Sequence, residues 1–550
     1  MHQPRGNRFN ILILTILTFI SSQCSLTGQD ARNATVFTKQ DTLRGTITPE
    51  RAWWNATHYA IEIEPDYASK TIRGVNTITY LAIADGTRMQ IDLQEPMLLV
   101  TAIQDGRQLK FTREENVYWI DLGETVRKSS IKKLVLNFSG KPREASRPPW
   151  DGGWIWKKDE KGNPWMSVAC QGLGASVWYP NKDHQSDEPD SASLTMIVPD
   201  TLVAVGNGRL RSVSNAKGKK VYNWAVTQPI NNYNIIPYIG RYASFEETYA
   251  GEKGRLDCSY YVLDYNLEKA RKQFTQVKPM LECFEKWFGP YPFYEDGYKL
   301  VESPHLGMEH QSAVAYGNKY MNGYLGRDLS GSGWGEKFDF IIIHESGHEW
   351  FGNNITAKDI ADMWIHESFT NYSETIYADC QFGTQAGNEY CQGTRRSIQN
   401  DIPIIGKYGV NHEGSGDMYS KGGNMLHTIR QLINDDDKFR NILRGLNKDF
   451  YHKTVSSPDV ENYMSQHAGI DLSPIFNQYL RNTSIPTLEY AQNGSQLKFR
   501  WTDCIGEFDM RVKTSNGQWL SPTTNWTQVT LKDNEPVKID PNFYIRTKKS

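Results

Sequence analysis

The sequence predicts a multidomain α+β protein in which an all-β domain, a mostly α domain and a small β module follow one another. Three observations carry that reading. The chain has 550 residues, too many for one hydrophobic core and enough for roughly three domains. Apolar residues make up 39% of it, with 16 Trp, 29 Tyr and 21 Phe, as a folded protein of enzyme size requires. The spacing of the apolar residues also changes twice, from strand-like to helical near Phe245 and back again after Ile485-Pro486. A formal net charge of -2 and the lack of a long basic run argue against nucleic acid as a partner.

Taken in order, residues 1–25 read as a secretory signal segment. Arg5 and Arg8 precede an apolar run over 11–20, and small and polar residues follow through Ser21-Ser22-Gln23-Cys24-Ser25. The run is too short to span a bilayer, so an exported protein is expected. Cys24 is a candidate for lipid attachment, and with it for membrane anchoring, although Gln23 departs from the usual pattern. Residues 35–245 should form the all-β domain. Stretches such as His58-Tyr59-Ala60-Ile61-Glu62-Ile63-Glu64 and Lys133-Leu134-Val135-Leu136-Asn137-Phe138 alternate apolar and polar residues between Gly, Asp and Asn turns.

Residues 246–483 should be mostly helical. After one strand around 259–263, Asn266 is expected to cap a helix over 267–288 that Gly289-Pro290 stops. Further helices are expected over 363–382, 422–433, 459–467 and 475–480. Ser457-Pro458 and Ser473-Pro474 serve as starts for the last two. Residues 484–550 return to alternation at 497–501, 508–512 and 527–531 and predict a small β-sandwich. Besides Cys24 there are six cysteines: Cys170, Cys258, Cys283, Cys380, Cys391 and Cys504. An exported chain permits disulfides. Cys380 and Cys391 lie closest in sequence, but spacing alone leaves the pairing open.

The chemistry is carried by Ile343-His344-Glu345-Ser346-Gly347-His348-Glu349. On a helix, positions i and i+4 share a face, so His344 and His348 can reach one metal ion. Glu345 projects beside them, within reach of a water at that ion. This is the His-Glu-x-x-His pattern of zinc peptidases; without a metal, the pattern would be two buried histidines on an amphipathic helix. Hydrolytic zinc takes three protein ligands and keeps one position open. Glu367, with eighteen residues between it and His348, sits among Met363, Trp364, Ile365 and Phe369 on the next expected helix. His366 is its rival, and because neighbouring helix positions point about 100° apart only one of them can face the metal. The apolar flanks favour Glu367. Glu374, two turns further on the same face, is placed to orient a histidine ligand from behind.

These residues resemble the gluzincin aminopeptidases, the group of aminopeptidase N and leukotriene hydrolase. That family has a Gly-x-Met-Glu-Asn stretch before its zinc helix, and this chain has Gly307-Met308-Glu309-His310 after Leu306. Its Tyr-x-Lys-Gly motif appears here as Tyr419-Ser420-Lys421-Gly422, and Gln171 matches a Gln or Glu from the β domain. The resemblance runs from the β domain to about Asn482. It implies a saddle-like β domain, a thermolysin-like catalytic domain and one Zn2+ per chain held by His344, His348 and Glu367. Glu345 would be the base and Tyr419 the oxyanion donor. Gly307, Met308, Glu309, His310 and Gln171 would bind peptide, with Glu309 on the substrate's α-ammonium.

Two departures matter. His310 stands where the family has Asn, which makes the pH dependence and the preferred substrate open questions. Ser368 replaces the Gly usual after the third ligand and should be tolerated. No helical run follows Asn482, so a bacterial-type exported member without the large roofing domain is implied, with a more open cleft and weaker restriction on peptide length. Zinc aminopeptidase activity on peptides is therefore the expectation. An endopeptidase or epoxide hydrolase on the same zinc site and a non-catalytic binding protein are the alternatives. Side-chain preference, oligomeric state and physiological substrate are not encoded in any motif.

Overall fold

A computed structural model describes residues 36–532 and 534–550. The expected signal segment and the candidate lipidation site Cys24 lie outside the described residues.

The β-rich first half follows from strict alternation. Strand β1 (Trp54–Asp66) buries Trp54, Ala56, Tyr59, Ile61 and Ile63 and turns His58, Glu62 and Glu64 outward. It sits inside an eight-stranded sheet, antiparallel to β2 (Thr71–Ala82), with Ile61 opposite Asn76. On its other side it runs parallel to β5 (Ser191–Pro199), with Ile61 opposite Leu194. A separate four-stranded sheet contains the hairpin of β3 (Gly153–Lys158) and β4 (Pro164–Ala169), where Trp156 faces Met166. Aromatic side chains fill this region. Trp154 meets Trp178 edge to face at 6.0 Å, and Tyr59 meets Tyr179 at 6.2 Å. Burying a large side chain of this kind contributes about 1.5–3 kcal/mol.

The loop after β4 carries Gln171, and it is pinned rather than loose. Gly174 N donates to Cys170 O at 2.7 Å. The Asp183 carboxylate accepts from Ser176 N at 3.0 Å, and Asp183 N donates to Asp92 Oδ2 at 3.0 Å. Asp92 is in turn fixed by the buried Arg51 guanidinium. Gln171 is therefore presented from a rigid edge of the β region.

The hairpin of β6 (Tyr242–Gly251) and β7 (Gly254–Leu263) runs across the expected boundary at 245. By hydrogen bonding it belongs to the next sheet, where β7 pairs in parallel with β8 (Tyr298–Glu302). That five-stranded sheet ends on β9 (Gly307–Met308), an edge strand antiparallel to β10 (Val314–Tyr316). The expected single helix over 267–288 is two helices, α1 (Leu267–Gln273) and α2 (Val277–Phe288), separated by a 3-10 turn. Asn266 does not cap it. Its amide donates to Glu302 Oε1 at 2.8 Å, and its Oδ1, the atom that would cap, accepts instead from Lys269 Nζ at 3.2 Å.

Helices α3 (Phe340–Gly347) and α4 (Trp364–Phe382) follow, then α5 (Thr384–Thr394), α6 (Ser420–Ile433), α7 (Asp436–Asp449), α8 (Ser457–Ala468) and α9 (Ser473–Arg481). A disulfide joins Cys283 of α2 to Cys380 of α4, and Cys391 is buried and free. The C-terminal region is a four-stranded sheet with a two-residue ribbon, Val512–Lys513 against Trp519–Leu520. The strand expected at 508–512 is reduced to that ribbon. Phe508 and Met510 are nevertheless buried, which is what the alternation reported. Among the described residues no helix is long and apolar enough to cross a membrane.

Candidate metal centre

Helix α3 is short and buried on all sides, so its position depends on its caps and neighbours. Asp339 caps it, accepting from Ile341 N at 3.1 Å, while its other oxygen takes Gln273 and the Tyr316 hydroxyl, each at 2.8 Å. Burial pushes the Asp339 carboxyl up to about 6, against the pull of those hydrogen bonds. His344 lies in the last turn, and His348 is the first residue past it, still with helical dihedrals. The two rings are 5.0 Å apart.

Glu367 projects from the first turn of α4. Its Oε2 is 3.4 Å from His348 Nε2 and 3.7 Å from His344 Nε2. Tetrahedral zinc with bonds of about 2.0–2.1 Å needs donor atoms roughly 3.4 Å apart. Oε2 is also buried without a hydrogen-bond partner. A buried carboxylate oxygen aimed at two imidazole nitrogens, with nothing else to satisfy it, is what a metal site requires. The three residues fit zinc.

Each histidine is oriented from behind. His344 Nδ1 donates to Glu374 Oε1 at 2.7 Å, and Glu374 Oε2 accepts from the Tyr390 hydroxyl at 2.6 Å. His348 Nδ1 faces the Phe351 carbonyl at 3.0 Å and the Thr370 hydroxyl at 3.1 Å. Both rings thereby carry their proton on Nδ1 and turn the Nε2 lone pair to Glu367. His366, the rival ligand, points away and accepts from Ala357 N through Nε2 at 2.8 Å.

The centre opens into a cleft of about 640 Å³, lined among others by Gln171, Gly307, Met308, Glu309, Glu345, Glu374 and Tyr419. Glu345 sits under the edge strand β9. A Cβ at Gly307 would stand 2.6 Å from its Oε1, so a larger residue there would push the Glu345 carboxylate out of its place. Burial, with the nearby Glu309 charge adding to it, pushes Glu345 up to about 7 against the opposing pull of the two histidines. For Glu367 burial works upward too, but the two imidazoles outweigh it and hold its carboxyl well below the usual carboxylate range.

Glu309 is buried at the inner end. Its Oε1 accepts from the Tyr233 hydroxyl at 2.8 Å and from the Gln171 amide. Both partners are neutral, and no Lys or Arg is among the residues lining the cleft. Glu309, Glu345 and His348 together bring donor atoms within 4.8 Å of one another. Tyr419 enters from the start of α6 with its ring 6.1 Å from that of His344. Although the residue as a whole is 40% exposed, desolvation of its hydroxyl and the charges of Glu367, Glu309, Glu413 and Glu345 raise it above the ordinary range, so it remains an O–H donor. α6 can approach α4 this closely because Gly422 lies against Ser368, where a Cβ would collide with the Ser368 hydroxyl. That hydroxyl donates to the Met418 carbonyl at 2.7 Å.

His310 does not line the cleft. It is fully buried behind β9, with Nδ1 donating to the Tyr238 hydroxyl at 2.5 Å while that hydroxyl donates to Ala313 O. Burial, and then His305, hold it neutral far below its ordinary value, so it does not titrate near pH 7. Tyr233, Trp150 and Glu413 were not anticipated. Tyr233 lies in a polar Asn-Asn-Tyr-Asn run, and nothing in its spacing points to the zinc helix.

Residues 272–479 match the Peptidase family M1 domain. In that stretch the chain is similar to the M1 peptidases. Over 414 residues it is 23% identical to the leucyl aminopeptidase of Saccharolobus solfataricus, covering 72% of this chain and 50% of that protein. It is 21% identical over 514 residues to the probable aminopeptidase 2 of Sulfurisphaera tokodaii, covering 89% and 61%. This chain thus spans about half the length of the curated relatives it matches. The M1 zinc metallopeptidase of Deinococcus radiodurans, solved as a mutant bound to a Tyr-Ser-Ala substrate, superposes with a TM-score of 0.66. That match has 20% identity over 80% of this chain and 96% of the other. The likeness is one of fold, and it extends from the M1 domain into the β-rich first half.

Proposed function

We propose that this chain is an exported zinc aminopeptidase that removes N-terminal residues from peptides. The observation that carries the reading is Glu309, a buried carboxylate whose hydrogen-bond partners are neutral and whose neighbours are Glu345 and His348. A buried anion without a cation partner is costly. A substrate's free α-ammonium removes that cost and places the first peptide carbonyl beside the centre. Two relatives named aminopeptidases support the reading, as does a fold neighbour solved with a peptide. The disulfide of α2 and α4 supports an oxidising compartment and hence export.

His344, His348 and Glu367 would hold the metal. Zinc, when bound, supplies a Lewis acid that polarises the scissile carbonyl and activates water. Glu345 takes the proton of the attacking water and returns it to the departing amine; a carboxyl raised toward neutrality suits both halves of that transfer. The Tyr419 hydroxyl donates to the oxyanion as the carbonyl becomes tetrahedral. Gln171 and Tyr233 keep Glu309 in place.

In a zinc-loaded preparation, Glu345→Gln should lower kcat on aminoacyl-anilides by about 10³-fold at unchanged zinc content. Unchanged kcat would remove Glu345 from the mechanism.

A further inference from the structure

Two side chains around the 171–173 turn remain unexplained by the peptide-bond chemistry. The first is Trp150, which lines the cleft and is 70% exposed. Its loop is held in shape. Asp151 accepts from Ser146 N at 2.7 Å and Arg147 N at 2.9 Å, and Trp150 N donates to Arg147 O at 3.0 Å. The loop rests on the turn, since a Cβ on Gly152 would come within 2.8 Å of the Leu173 side chain. An indole kept in water by an ordered loop gives up hydrophobic stabilisation unless something lies against it.

The second is Glu413. Asn411 Nδ2 donates to Gly172 O at 3.0 Å and ties this loop to the same turn. The Glu413 carboxylate is 3.9 Å from where a Cβ on Gly172 would stand. Five glutamates line the cleft: Glu309, Glu345, Glu367, Glu374 and Glu413. Four have assigned work: the substrate ammonium, the water proton, the metal and His344. Glu413 is left as an exposed anion with no Lys or Arg on the cleft wall to answer it.

The position decides what would answer it. Gln171 on this turn is bonded to Glu309, and the substrate's α-carbon carries both the ammonium and the first side chain. A substrate anchored by Glu309 therefore sends that side chain out beside the turn. We infer that Trp150 and Glu413 form the pocket for the N-terminal side chain and select a cationic one, Arg or Lys, through the indole face and the carboxylate. This rests on the aminopeptidase reading.

The test measures kcat/KM of the zinc-loaded full chain on Arg-, Lys-, Leu- and Glu-anilides. Arg and Lys should exceed Leu by about tenfold or more. Glu413→Gln should cut the Arg-to-Leu ratio about tenfold, and Glu413→Arg should lower it further while raising Glu relative to Leu. Trp150→Ala should raise KM for Arg more than it changes kcat, with Trp150→Phe restoring part of the loss. A wild-type preference for Leu, or a ratio that Glu413→Gln leaves unchanged, overturns the pocket while leaving the aminopeptidase intact. Cleavage of none of the four overturns both.

Discussion

The proposed metal ligands and the proposed substrate wall of this cleft are built in opposite ways. His344 and His348 each donate a hydrogen bond from behind the ring, to Glu374 and to the Phe351 carbonyl, and both backing groups are buried. Glu367 leaves the atom that faces them unpartnered. The wall is different. Glu309 accepts from the neutral Tyr233 and Gln171, Trp150 is 70% exposed, and among the described residues lining the cleft with Glu413 there is no Lys or Arg. One part is finished before its ligand arrives, and the other is completed by the ligand. Pre-organisation fixes where the reaction happens; the open valences on the wall decide what reacts.

Removing the backing of a ligand should show the first half of that contrast. Glu374→Gln keeps the shape but takes away the charge behind His344, and zinc affinity should fall about 10–100-fold, measured by competition with a chelator. The Tyr390 hydroxyl would keep its amide neighbour, so Tm should move little. Equal zinc affinity in the variant would mean that the ring is held by packing alone.

A smaller effect probes how the two halves communicate. Burial raises Glu345 toward about 7, and the Glu309 charge adds to that. A base must be ionised to act, so activity is lost as pH falls through the Glu345 pKa, and a bound cation draws that value down. Glu309→Gln removes a negative neighbour and should move the acid limb of kcat/KM to lower pH, besides weakening substrate binding. An acid limb that stays in place would show that the two carboxylates do not sense one another.

Much of this was legible in the sequence, for reasons that differ by residue. His344, His348 and Glu367 could be found because helical spacing and a short connection force them together, and the structure brings each Nε2 within 3.7 Å of the Glu367 oxygen. Glu374 was legible by the same periodicity. His310 was placed on the substrate wall because it stands where the family motif has Asn, but beyond the edge strand its ring turns to the interior, against Tyr238. Tyr233, Trp150 and Glu413 come from loops far apart in sequence, and only the packing of the β-rich half against the M1 domain makes them neighbours. The cysteines teach the same lesson. Cys380 pairs with Cys283, 97 residues away, and the nearer Cys391 stays buried and free.

Glu309 is proposed to read a free amino terminus. The direct measurement compares zinc-loaded protein on one peptide in two forms, with its N-terminus free and acetylated, following products by mass. The account predicts release of single residues from the free form and at least a 10²-fold loss of kcat/KM on the acetylated form, since an amide can neither carry the charge nor fit the buried carboxylate. Cleavage of both forms at similar rates, or at internal bonds, would contradict it and make the same centre an endopeptidase.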